Sequence, residues 1–238
     1  MSKIRMYIEP GQIEEFIQLK NRDAVHKLKD VLRLKESDCL CFFDGRGKEY
    51  VYHIEELSKK SILLKQEKLL RSEPHPTKQV TLAFPLEREE RVDFILQKCT
   101  ELGALRFIPF VCQRSIQRKP SANKLARWKK IINEATRQSQ RLWIPKIEET
   151  LDFLDLAKVK SDLKLVGNIS GKTISRKFDK KIKDVLIAIG PVGDFSDQEY
   201  QEFKSQGFSS VKLSANLLRT ETAAMFSVGL LNNFLDEG

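Results

Sequence analysis

The sequence predicts an α/β protein of two domains: a small strand-rich β-barrel over residues 1–72 and a helix-covered parallel sheet over residues 73–238. Three observations predict it. Short apolar runs separated by turn signals fill the first third, whereas from Gln79 onward apolar strands alternate with amphipathic helices, the pattern of β-α-β units. Between the two patterns, Ser72-Glu-Pro-His-Pro-Thr77 carries two prolines, which disfavour helix and suit a linker. Residues 185–223 then read strand, glycine loop, helix, strand, loop, helix, the layout that gathers a small-molecule site at the carboxyl ends of parallel strands.

Taken in order, Ile4–Ile8 predicts a strand and Gln12–Leu19 a short turn or helix. Over His26–Leu32, the apolar Leu28, Val31 and Leu32 fall at helical spacing. Cys39–Phe43 and Glu49–Ile54 predict a hairpin around the turn Asp44-Gly-Arg-Gly47, and Ile62–Lys68 a further strand. Beyond the linker, Val80–Phe84 predicts a buried strand ending at Pro85. Arg88–Leu102 is an amphipathic helix with Val92, Ile95, Leu96 and Cys99 on one face and Gly103 as its stop. Leu105–Pro109 completes the unit, and Asn123–Leu142 predicts a second helix whose apolar face holds Leu125, Trp128, Ile131, Ile132, Ala135 and Leu142. Leu163–Gly167 predicts a strand, residues 171–183 a polar connection, Val185–Ile189 a fully buried strand, and Val211–Leu213 a last short one before an apolar helix.

The chain has 238 residues, 41% hydrophobic and 32% charged, which is enough for two modest cores. No apolar run approaches the roughly 20 residues that cross a bilayer, and the polar Met1-Ser-Lys start does not resemble a signal peptide. Cys39, Cys41, Cys99 and Cys112 show neither CxxC spacing nor a His cluster, which points to buried reduced thiols, no metal site and a cytoplasmic protein.

The formal net charge of +9 is concentrated: from Arg114 to Lys146, ten basic residues face Glu134 alone. At about 100° per residue, Arg127, Lys130, Arg137 and Arg141 share a narrow arc opposite the apolar stripe. Acidic partners at i+4 spacing are nearly absent, and Arg114, Arg118 and Lys119 carry the charge into the preceding loop. This pattern predicts contact with a polyanion, RNA phosphate in the first place, with a merely solvated helix face as the competing account.

Several motifs resemble one known family. Ile189-Gly-Pro-Val-Gly-Asp-Phe195 resembles the "IGPEGGF" loop of the SPOUT methyltransferases, and "LSANLLRTETA" (Leu213–Ala223) resembles their "LGPRILRTETA". "ERVDFILQKCTELGALRFIPF" and "RWKKIINEATRQSQRLWIPKI" are similar to two further stretches of the bacterial RsmE family within that class. In the first domain Arg5-Met-Tyr7, His26–Arg33 (against "HHLxxVLR") and Phe43–Gly47 match as well. The resemblance implies a PUA-like RNA-binding barrel followed by a SPOUT domain tied in a trefoil knot, acting as a homodimer. It implies methylation of N3 of a uridine in 16S ribosomal RNA, free or in the assembled small subunit, with S-adenosyl-L-methionine (SAM) as methyl donor and no metal.

By the same resemblance, SAM would sit on three loops: Val166 and Gly167; Gly190, Pro191, Val192 and Gly193; and Leu213, Ser214, Leu217 and Leu218. Arg219 would stabilise negative charge on the uracil carbonyls; Glu221 is either catalytic or a carboxylate that offsets the dipole of the last helix. RNA would be held by Arg5, Arg33, Arg114, Arg118, Arg127, Lys130, Arg137 and Arg141, with packing or capping as the plainer reading of His26 and an even alternative for Arg33. The loops depart from the family at Val192, Asp194, Ser214, Ala215 and Asn216. Asp194 places a Cβ where the family has glycine, although aspartate tolerates the left-handed region better than most residues. These departures carry a second reading, a non-catalytic RNA-binding or ribosome-assembly protein with a degenerate pocket. An enzyme of the same fold acting on another RNA site is the third.

Overall fold

The computed structural model describes residues 4–115, 120–174, 179 and 181–237. The chain divides into two compact units, one comprising the residues up to His75 together with Gln140–Ile144, the other Pro76–Ser139 together with the residues from Pro145 onward.

In the first unit, β1 (Ile4–Tyr7), β2 (Phe16–Leu19), β3 (Cys39–Phe43), β4 (Lys48–Leu57) and β5 (Ile62–Ser72) form one sheet in the order β1-β3-β4-β5-β2. β1 runs parallel to β3 and the remaining pairs are antiparallel. Three register shifts between β4 and β5 bend that hairpin, which lets a short sheet curl around a core of Leu28, Leu40, Phe42, Tyr52, Ile62 and Leu64. Two segments differ from expectation. Gln12–Leu19 is a 3-10 turn over Pro10–Gln12 followed by strand β2, because Ile17 is drawn into the core and the segment pairs with β5. The helix near His26 starts earlier, as α1 (Arg22–His26), where the Asn21 side chain accepts the N–H groups of Asp23 and Ala24 at 2.9 and 3.1 Å, and it continues as a π turn over Lys27–Val31.

Gln140–Ile144 is laced into this unit by side chains. Glu49, 3% exposed, receives Arg5 Nε at 2.6 Å and Arg71 Nε at 2.7 Å. The two guanidinium groups reach on to main-chain oxygens of the segment, Arg5 to Arg141 (2.7 Å) and Arg71 to Gln140 (3.1 Å). Gly47 closes the other side: its N–H donates to the Leu142 carbonyl at 3.2 Å, and at φ +99° it takes a backbone conformation that favours glycine.

The second unit is a seven-stranded, all-parallel sheet built from β6 (Gln79–Pro85), β7 (Arg106–Val111), β8 (Lys146–Ile147), β9 (Leu151–Asp152), β10 (Leu163–Thr173), β11 (Asp184–Ala188) and β12 (Ser209–Lys212). The order is β12-β10-β11-β6-β7-β8, with β9 on β7. Helices α2 (Glu89–Glu101), α3 (Ala122–Gln138), α4 (Phe153–Ala157), α5 (Asp197–Ser205) and α6 (Thr220–Glu237) accompany it. α2 packs against both α3 and α6, and α6 against β6. Val80, Leu82, Phe84, Val185, Leu186 and Ile187 are all fully buried, as central parallel strands require.

Two expectations are corrected. α3 ends at Gln138, not Leu142, because Gln140 turns into the left-handed region (φ +59°) and the chain leaves for the first unit. Part of the supposed polar connection over 171–183 is strand: β10 runs through to Thr173 and meets β12 again after a register shift between Gly167 and Lys172. At Gly171 the two backbones approach so closely that a Cβ would lie 2.7 Å from main-chain atoms of Val211. Residues 175–178 and 180 of that connection lie outside the described residues.

Candidate functional site

A cavity of about 590 Å³ opens at the carboxyl ends of β10, β11 and β12, the position where parallel sheets present ligand sites. Its walls come from three loops, at 167–169, 189–194 and 213–220, with Arg91 and Ala223 completing them. Of the residues assigned to the cofactor from sequence, Gly167, Gly190, Pro191, Val192, Gly193, Leu213, Ser214, Leu217 and Leu218 line this one cavity, and so does Arg219. Val166 does not: its side chain, 1% exposed, belongs to the core with Ala83, Ile108, Leu186 and Ala188. Glu221 lies in the first turn of α6 and off the cavity wall, with Oε2 buried and unpartnered.

Each loop is held for an identifiable reason. The second is a tight turn in which the Asp194 N–H donates to the Pro191 carbonyl at 2.9 Å, and Gly193 at the third position has φ +89°, which glycine supplies at little cost. Four side chains from elsewhere clasp it. The fully buried Glu87 accepts the Val192 N–H at 2.9 Å; the Thr220 hydroxyl donates to the Gly190 carbonyl at 3.1 Å. Arg114 donates to the carbonyls of Gly193 and Asp194, and Tyr200 donates to the Asp194 carboxylate at 2.7 Å. Phe195, which follows, is wedged between Phe110 and Phe203 at centroid distances of 5.9 and 5.0 Å.

Sequence reading missed Glu87, Arg91, Thr220 and Tyr200. Glu87 follows an apolar strand and looks like any solvated acid that opens a helix; only the fold shows it without exposure, with Arg91 Nη1 3.5 Å from its second oxygen. The loop carrying Arg114 is fixed from the start of α5: Ser196 and Glu199 form a capping box, and Glu199 Oε1 also accepts the Gln113 N–H at 2.9 Å.

The basic residues separate into distinct environments. Arg5 is sequestered in the first unit, 9% exposed, bound to Glu49 and stacked 3.9 Å over the Phe43 ring, so it is not presented to a ligand as expected. Arg141 is off the helix, and burial pulls its guanidinium down to about 10, which corrects its placement on the outer arc. On α3, Arg127 pairs with Glu89 at 3.0 Å and with Asp93, and Arg137 pairs with Glu134 at 2.8 Å. The acids absent at i+4 on the helix are thus supplied by α2 and by an i−3 neighbour. Burial raises the Asp93 carboxyl and Arg127 only partly offsets it. Lys130 is exposed on α3, Arg33 is exposed at φ +52° after the π turn, and Arg118 lies outside the described residues.

Among the described residues no cluster of His, Cys, Asp and Glu could hold a metal ion, and no helix is long and apolar enough to cross a membrane. A parallel sheet with a glycine-loop cavity at its carboxyl edge follows a small five-stranded sheet, and the family comparisons define the class. Residues 73–232 match the family described as RNA methyltransferase domain, and residues 19–67 match the RNA methyltransferase PUA domain.

Within that class, the chain belongs to the ribosomal RNA small subunit methyltransferase E family. It is 30% identical over 240 residues to the Synechocystis protein of that name, covering 98% of this chain and 78% of the relative. It also matches a solved putative methyltransferase from Legionella pneumophila in complex with the cofactor SAM (28% identity, TM-score 0.87, 98% of each chain). A second solved match is the ribosomal RNA small subunit methyltransferase E of Neisseria gonorrhoeae bound to SAM (26% identity, TM-score 0.83, 97% of each chain).

Proposed function

We propose that this protein is a SAM-dependent methyltransferase acting on N3 of a uridine in 16S ribosomal RNA. The observation that carries the reading is the convergence of three loops, distant in sequence, on one cavity of about 590 Å³, within the range of small-molecule sites. The residues present fit the cofactor. Main-chain groups of Gly167, Gly190 and Gly193 suit an adenine edge, Leu213, Leu217 and Leu218 an apolar ring, and Arg91 the methionine carboxylate. The buried Oε2 of Glu87, which accepts no hydrogen bond, faces Arg91 Nη1 at 3.5 Å and holds that cation beside the cavity.

Bound there, SAM supplies an electrophilic methyl group. The protein's own part is to orient the acceptor and to ease loss of the weakly acidic uracil N3 proton. Arg219, on the cavity wall, is the group that stabilises the negative charge this leaves on the uracil carbonyls. Glu221, in the first turn of α6 and away from the wall, offsets the helix dipole instead of touching substrate. Arg33, Arg114 and Lys130 remain the candidates for RNA contact in this reading, with Arg118 close to Arg114 in sequence.

The reading extends to a trefoil-knotted second domain, supported by the path that returns the chain to pair outside β10 after β11 is formed. It extends to a homodimer, supported by exposed Leu102 and Phe226 at the end of α2 and on α6, and to the cytoplasm, where the four free thiols stay reduced.

Calorimetric titration with SAM, followed by methyl transfer to 16S RNA or the small subunit with mass mapping, is the test. Binding and a methyl at uridine N3 are expected, with Arg219→Ala lowering transfer by about a hundredfold or more and RNA affinity nearly unchanged. Absence of SAM binding would leave the non-catalytic RNA-binding reading in its place.

A further inference from the structure

The second cavity loop carries an aspartate at a bend that wants a left-handed residue. Asp194 has φ +66°, a region in which aspartate is among the few side-chain-bearing residues commonly tolerated. Its Oδ1 accepts the N–H of Phe195 at 2.8 Å and the Tyr200 hydroxyl at 2.7 Å. The same hydroxyl lies 3.0 Å from the carbonyl oxygen of Gly167. A single phenol on α5 therefore stands between the first and second loops, its one proton within reach of an acceptor on each.

The phenol is itself well fixed. Its ring meets Phe195 edge-on at 5.6 Å, and α5 is anchored by the Ser196–Glu199 capping box. Burial first, and then the hydrogen bond to Asp194, push its pKa upward, so it stays a donor at any physiological pH. A glycine at 194 would allow the bend but would offer Tyr200 no acceptor. An alanine would offer neither. Loops that bind through main-chain groups lose affinity when their relative positions fluctuate, because binding must then order them.

Resting on the reading of the cavity as the SAM site, we propose that Asp194 and Tyr200 are positioning residues. Together they clasp the first and second loops at the spacing cofactor binding requires, in the place of the glycine found in the family's loop.

The test is SAM titration, thermal melting and steady-state kinetics on the full chain as wild type, Tyr200→Phe, Asp194→Gly, Asp194→Asn and Asp194→Ala. Tyr200→Phe and Asp194→Gly should each raise the Kd and KM for SAM about tenfold, the effect of one lost hydrogen bond to a charged group. kcat at saturating SAM should change less than KM. Asp194→Asn keeps an acceptor and tolerates the left-handed region, so it should stay close to wild type. Asp194→Ala should be the weakest binder. Lower melting temperatures with SAM affinity as in wild type would make the pair purely structural and overturn the proposal. So would a Tyr200→Phe protein indistinguishable from wild type. Wild-type protein that binds no SAM would instead remove the reading of the cavity, whatever the variants do. Should Tyr200→Phe fail to fold, Asp194→Gly decides alone, since glycine accepts this backbone conformation freely.

Discussion

Arginine does different work in the two units. In the first, Arg5 and Arg71 converge on one buried carboxylate, Glu49, and spend their remaining donors on the carbonyls of Arg141 and Gln140, so cations act as internal struts. Around the cavity of the second, Arg91 and Arg219 stand on the wall, and the loop beside them is clasped by Glu87, Thr220 and Tyr200 together with a single arginine, Arg114. The difference lies in how tightly the buried acid is engaged: Glu49 receives two arginines at 2.6 and 2.7 Å, whereas Glu87 meets Arg91 at 3.5 Å and gives its other oxygen to the Val192 N–H. Nothing about the residue type announces which will happen.

If side chains hold the first unit's irregular segment, deleting the central one should cost more than any other single change. Glu49→Ala strands the Arg5 guanidinium, 9% exposed, without its counter-ion and frees both arginines from their geometry. Breaking a buried pair in this way costs about 3–5 kcal/mol. Chemical denaturation followed by the fluorescence of Trp143, which sits in that segment, measures it; a change below 1 kcal/mol would make the network ornamental.

The converse experiment adds an atom to the second unit. Gly171→Ala forces a Cβ to within 2.7 Å of the Val211 backbone, where no flexible side-chain end can yield. Parting β10 from β12 to admit it should cost about 3 kcal/mol, the upper range of overpacking, read as a shift in the denaturation midpoint. SAM affinity should fall with it, since β12 leads directly into the third cavity loop. An unaffected protein would mean the strands are not in register contact there.

A smaller effect separates a neutral strut from a charged one. The Tyr52 hydroxyl, on a fully buried side chain of the first unit, donates to the Glu14 carbonyl at 2.8 Å and lies 3.0 Å from Gln66 Oε1. Burial pushes this phenol up to about 12 from an ordinary 10, so the folded unit holds the proton more tightly than the unfolded chain. The resulting stability is intact below about pH 10 and is lost as pH rises through about 12. Tyr52→Phe should cost about 1–2 kcal/mol at neutral pH, through the unpaired acceptors it leaves, and should flatten the alkaline fall. A mutant whose stability declines over the same window as wild type would show that another group is responsible.

How much of this was legible in the sequence follows from the range of the physics involved. The second unit's strands and helices could be read because their determinants are local, apolar periodicity and turn-forming glycines, whereas the nine residues found on the cavity wall are named by the family resemblance and not by those signals. Arg5 and Arg141 could not be read correctly, because their partners are 44 and more residues away and their exposure is a property of the closed fold. The end of α3 was misplaced for a related reason. Gln140, not a glycine, takes the left-handed conformation there, held by what the following segment meets in the first unit. Glu87 and Tyr200 escaped notice as ordinary surface-type residues, and only the loop they grip gives them away.

The comparison has its finest test on α3, where paired and exposed cations share one helix. Arg127 is already neutralised by Glu89 and Asp93, whereas for Lys130 no ion pair is found among the described residues. If RNA phosphates meet this face, Lys130→Ala should reduce the slope of log affinity against log salt by about 0.7–0.9, one phosphate contact. Arg127→Ala should reduce it by less, because its carboxylate partners must first be displaced. The Glu89 contact, with both groups about half exposed, is of the kind worth at most about 1 kcal/mol, but Asp93 is 16% exposed and its hold is firmer. Glu89→Gln combined with Asp93→Asn should therefore free Arg127 and steepen the slope, in fluorescence anisotropy titrations of a 16S fragment over a salt series. SAM affinity should be the same in all three variants, since none of these residues touches the cavity. Equal slopes for Lys130→Ala and Arg127→Ala would mean that ion pairs on this face open freely for phosphate. The distinction between strut and contact would then hold only where, as at Glu49, the acid is buried.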